Sequence, residues 1–84
     1  MNNPILIVIS KATIVWLMGI TPNRPVSSTE TRAFIQNFGI SEKDEDRIID
    51  FLAEHDYIRI DSEFHYIAET EKGKIWATKT AEIK

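Results

Sequence analysis

The sequence contains no cysteine. Disulfides, thiolate metal ligation and thiol nucleophiles are therefore excluded. A small secreted domain without disulfides would be unusual, so the expected location is cytoplasmic. Glycine and proline are scarce, with three of each. The glycines stand singly, so no Gly-rich loop exists to cradle a phosphate. The two histidines, His55 and His65, fall on different expected elements. A catalytic centre needs a nucleophile, a base and an orienting group in mutual reach, and the sequence offers no such set. The acids of residues 42–46 lack the alternation and the Gly of a calcium loop. The expectation is a protein that is not an enzyme and has no cofactor and no metal. Positive charge is also short: ten Lys and Arg against thirteen Asp and Glu give a net charge of −3 and a pI near 5.3. That balance opposes non-specific binding to phosphate backbones and leaves specific recognition open.

What is present suits one soluble domain over residues 1–84, with 43% hydrophobic and 27% charged residues. The chain is organised around residues 27–58, two short helices with a tight turn between them. Ser27 and Glu30 form an S-x-x-E capping box. Phe34, Ile35 and Phe38 make an apolar stripe, and Gly39 follows as a C-cap. Ser41 caps the next helix, whose acid-rich first turn suits the helix dipole. Ile48, Ile49, Leu52 and Phe51 supply its buried face. Asp56, which tolerates a left-handed backbone, ends it. Helix, Gly-centred turn and helix make a helix-turn-helix arrangement.

Ahead of this pair, Asn3 as N-cap and Pro4 at the first position start a helix over a very apolar run, residues 5–20. The run is shorter than the roughly 20 residues a bilayer needs, and Lys11 lies in its middle. No membrane span is expected. Leu6, Ile9, Thr13, Trp16, Leu17 and Ile20 share one face. The β-branched start, residues 5–9, also suits a strand. Ile7, Ile14, Val15 and Met18 remain on other faces, an excess that a small domain seldom buries alone. Together with Trp76 near the C-terminal end they predict a homodimer interface. After residue 58 come two short aromatic and β-branched runs, residues 57–60 and 64–68, around a polar turn: a β-hairpin. Thr70 then caps a last helix bearing Ile75 and Trp76. Phe34, Phe38, Trp16, Ile49, Leu52 and Ile58 are the expected core.

In this order of elements the chain resembles a winged helix-turn-helix domain of small prokaryotic and viral transcription regulators. The resemblance rests on FGIS at residues 38–41, HDYI at residues 55–58 and ETEKGK at residues 69–74. It implies an α+β fold: a three-helix core, a short strand with a two-stranded wing, and a C-terminal helix. It implies a transcriptional regulator that binds double-stranded DNA as a homodimer, with the third helix in the major groove. The matching positions place Lys43 and Arg47 on that helix, Arg32 at a phosphate, and Arg59 and His65 on the wing. Arg47 can fork onto a guanine edge or pair within its helix with Asp46 or Asp50. Three departures stand out. Glu45 occupies a position where the family packs an apolar residue. Asp44 and Asp46 occupy positions where small or basic residues meet DNA. Glu69 precedes the Thr where the family has an apolar residue. Each acid facing phosphate would cost on the order of 1 kcal/mol. Two alternatives therefore stand beside the regulator: a protein-interaction module, or an inhibitor imitating DNA. Both would present Glu42, Asp44, Glu45 and Asp46 to a basic protein surface.

Overall fold

A computed structural model describes residues 3–61 and 67–79. Helix α1 runs over Pro4–Ile20, and the Asn3 side chain accepts the Ile5 and Leu6 amides at its start. The β-branched residues at its beginning are helical, because Pro4 and the Asn3 cap satisfy the first turn. Helix α2, Ser28–Gln36, begins on Ser27, whose hydroxyl accepts from the Glu30 amide at 3.0 Å. Helix α3, Glu42–Glu54, begins the same way on Ser41, which accepts from the Asp44 amide at 3.1 Å. Gly39 takes φ +75° between these two helices, and Asp56 takes φ +61° after α3. Both reversals thus sit on residue types that tolerate the left-handed region.

Strands β1, Ile58–Ile60, and β2, Ile67–Glu69, pair antiparallel with Arg59 opposite Ala68. The extended piece before α2 adds one bridge, in which the Ile67 amide donates to the Val26 carbonyl at 2.7 Å. Helix α4, Glu71–Thr78, starts on Thr70. The Thr70 hydroxyl donates to the Asp56 carbonyl at 2.6 Å and accepts from the Gly73 amide at 2.9 Å. Gly73 is buried against β1: a Cβ there would lie 2.1 Å from the Tyr57 carbonyl oxygen. The close approach of α4 to the strand therefore requires glycine.

One core joins α1, α2, α3 and the sheet. Leu6, Ile9, Ile14, Leu17, Val26, Ile35, Ile48, Ile49, Leu52, Ile58 and Ile67 are buried in it. Ile49, Leu52 and Ile58 fall where the sequence places them. Trp16 and Phe34 lie half-buried at its margin, stacked with ring centroids 4.5 Å apart. Phe38 does not belong to the core: it is 45% exposed, held edge-on to Phe34 at the end of α2. The buried face of α1 is also rotated from the expected one. Ser10 and Ile14 are inside and Ile20 is only half-buried. Packing of α4 along α1 covers a second side of that helix and draws the face round. The buried hydroxyls of Ser10 and Thr13 return to the Leu6 and Ile9 carbonyls at 2.7 and 2.8 Å, which removes the cost of taking them in. The architecture is α+β, four helices with a two-stranded antiparallel sheet. No helix among the described residues is long and apolar enough to cross a membrane.

Candidate interaction surface on the third helix

The N-terminal half of α3 is held against α2 by a buried carboxylate. Glu45 points inward, only 5% exposed, and its two oxygens take Arg32 Nη1 and Gln36 Nε2, both from α2. Arg32 Nη1 also donates to Asp46 Oδ1 at 2.9 Å. These hydrogen bonds, to Glu45 first and Asp46 second, raise the Arg32 guanidinium above its ordinary pKa. A buried carboxylate is tolerable here because both oxygens are bonded and one partner is a cation.

This clamp corrects one expectation and bears on a second. Glu45 is not part of an exposed acidic surface, because it fills the position between the helices where an apolar residue was expected. Arg32, expected at a phosphate, keeps 41% of its side chain exposed, but its Nη1 is already engaged by two carboxylates. Arg47 stays outside with 61% of its side chain exposed, and its Nη1 lies 3.5 Å from Asp44 Oδ1 on the same helix. Arg47 thus pairs within its own helix, but with Asp44 and not with the expected Asp46 or Asp50. Glu42, Lys43, Asp46, Asp50 and Glu54 are exposed and Asp44 is partly so. Lys43 and Arg59 have no carboxylate partner among the described residues. Arg59 is exposed at the middle of β1, and His65 lies outside the described residues. Of the cations that the resemblance assigns to DNA, Arg32 and Arg47 therefore each face a carboxylate already.

Behind the C-terminal half of α3 a column of rings forms that the sequence did not foretell. His55 stacks on Tyr57 at 5.4 Å, and Tyr57 stacks on Trp76 at 4.4 Å. Lys72 and Lys11 lie over the Tyr57 and Trp76 rings, 5.9 and 5.2 Å from their centroids. The column ties α3, β1, α4 and α1 together through aromatic and cation–π contacts. Its only sequence signal was the clustering of rings at residues 51, 55, 57 and 76. Beside it, a cleft of about 500 Å³ between α1 and α3 is lined by Leu6, Arg47, Asp50, Phe51, Glu54 and His55, among others. Its ionisable lining is two carboxylates, one guanidinium and one imidazole.

Glu69 makes a second polar knot. Its carboxylate accepts from the Thr21 hydroxyl at 2.8 Å and lies 3.8 Å from the Lys74 ammonium. An acid at that position is thereby satisfied by the end of α1 and by α4.

The expected dimer residues divide. Ile14 is fully buried in the chain's own core and unavailable to a partner. Ile7, Met18 and Trp76 are half-buried, and Val15 is 50% exposed. Ile5 and Val8, 65% and 64% exposed, were not singled out and are the barest aliphatic residues of α1.

No protein-family model matches this chain, and neither curated proteins nor solved structures give a match.

Proposed function

We propose that the chain is a winged-helix protein-interaction module, binding rather than catalytic, whose exposed α3 face docks on a basic protein surface. The observation that carries the reading is the commitment of Arg32 and Arg47 to carboxylates of α3 itself. With those cations engaged by Asp44, Glu45 and Asp46, the acids Glu42, Asp50 and Glu54 outnumber Lys43 on the exposed face. A field of that sign attracts a basic partner and repels phosphate. A second reading, a DNA-binding regulator, rests on Lys43 and Arg59, which are exposed and carry no carboxylate partner among the described residues.

The test is a titration of the full chain with a Lys/Arg-rich helical peptide at increasing salt. Binding should weaken as salt rises and should fall further in the Asp46→Asn, Asp50→Asn variant. Glu71→Gln, an exposed acid on α4, should leave it unchanged. Equal loss with Glu71→Gln would mean that only net charge is sensed, and the α3 assignment would be withdrawn.

A further inference from the structure

We infer that α1 pairs antiparallel with the α1 of a second copy of this chain, along a seam formed by Ile5, Val8, Ala12, Val15 and Gly19. These residues are spaced three, four, three and four apart, the heptad interval that keeps one helix stripe facing another helix. The stripe lies on the side of α1 turned away from the core: Ile5, Val8 and Val15 are at least half exposed, and Gly19 is exposed as well. Buried residues of α1 fall between these positions, so the stripe is an outer face, partly covered by the domain at Ala12 and exposed at the other four positions.

Three observations select a second copy as the occupant. First, the stripe is complementary to itself when reversed. Antiparallel pairing about Ala12 sets Ile5 opposite Gly19 and brings Val8 within one residue's rise of Val15, with the two Ala12 residues meeting on the axis. Gly19 is exposed and a Cβ there would meet nothing within 4 Å, so nothing of the chain itself obstructs the approach of the other copy's Ile5. Second, the seam carries no charge. Lys11 is the one charged residue of α1, and its ammonium is turned over the Trp76 ring at 5.2 Å. A seam without charge meets its own copy with no like-charge opposition, as an isologous interface requires. It also lacks the flanking cations that would hold a helix on an anionic membrane. Third, a shallow apolar groove of about 330 Å³ lies at the Ile5 end, with exposed Phe38 as its outer wall. Reversal brings the narrow Gly19 end of the partner helix to this groove.

The test is sedimentation of the full chain from about 1 to 100 µM, combined with single-cysteine cross-linking. The wild type should sediment near twice its 9.7 kDa mass. Val15→Glu should weaken association by at least about a hundredfold, since each copy would bury an unpaired carboxylate. Because Val15 is half exposed, that variant should keep the wild-type circular dichroism spectrum. The chain has no cysteine, so Ala12→Cys and Val8→Cys each introduce a unique thiol. Under mild oxidant Ala12→Cys should cross-link readily and Val8→Cys poorly. A monomer throughout that range would overturn the inference, and so would a dimer that Val15→Glu does not weaken. Cross-linking of Val8→Cys as fast as Ala12→Cys would overturn the antiparallel seam.

Discussion

Helices α1 and α3 place their side chains in opposite ways. α3 is the more charged, yet it takes a carboxylate inside: Glu45 lies between α2 and α3. α1 is the more apolar, yet it leaves Ile5, Val8 and Val15 in water while the hydroxyls of Ser10 and Thr13 go into the core. The difference teaches that burial in this chain follows the available partner. Glu45 can be inside because Arg32 and Gln36 meet both of its oxygens. Ser10 and Thr13 can be inside because their hydroxyls turn back to their own helix. The aliphatic residues stay outside because the core covers one side of α1 and α4 a second, which leaves a third bare.

The largest effect that would break this comparison is in the core the two helices share. Leu52→Ala should lower stability by about 2–5 kcal/mol in denaturant titration, as truncation of a fully buried side chain does. A loss under about 0.5 kcal/mol would mean that the phase of α3 is wrong. Next comes the clamp. Glu45→Ala should cost about 1–3 kcal/mol, because it leaves the Arg32 and Gln36 groups without their acceptor. The lower part of that range is favoured, since Arg32 is 41% exposed and water recovers some of its loss. Asp46→Asn, at a mostly exposed partner of the same Arg32, should cost much less. Equal costs at residues 45 and 46 would remove the distinction between a clamp and a surface pair.

The smallest effect belongs to Arg24 and Glu30, an ion pair on the surface with contacts of 3.0 and 2.6 Å. Hydrogen bonds from Arg24 hold the Glu30 carboxyl below the ordinary carboxylate range. Its folded pKa thus lies below its unfolded one, near about 4.3. The stabilisation is complete above that unfolded value and is lost as pH falls through the folded one. Comparing wild type with Glu30→Gln from neutral pH downward, the difference in unfolding midpoint should shrink in acid. It should shrink also with added salt, because both groups are solvated. A difference that grows on acidification would reverse the assigned sign.

Much of the local structure was legible because its causes are local. Asn3, Ser27, Ser41 and Thr70 all cap helices as their types and positions suggest. Gly39 and Asp56 take the left-handed turns. What was not legible depends on distant partners. The burial of Glu45 needs Arg32 and Gln36, thirteen and nine residues earlier in the chain. The phase of α1 was misjudged because apolar residues surround that helix, so periodicity alone does not name the covered side. Phe38 reads as core from its spacing with Phe34 and Ile35. It lies beyond the last turn of α2, where the chain is already leaving the helix. The ring column needs Trp76 of α4 to pack beside the end of α3, and only the closeness of residues 51, 55 and 57 hinted at it.

The central claim is that the α3 face is arranged for a basic protein and not for a phosphate backbone. The most direct measurement is a titration of random-sequence duplex DNA into the full chain at about 50 mM salt, where phosphate contacts are strongest. It should be run on wild type and on Asp44→Asn with Asp46→Asn. The account predicts no binding by the wild type, and at most weak, salt-sensitive binding by the double variant, whose Arg32 and Arg47 are each released from one carboxylate. Duplex binding by the wild type that Lys43→Ala or Arg47→Ala abolishes would contradict it and restore the DNA-reading helix.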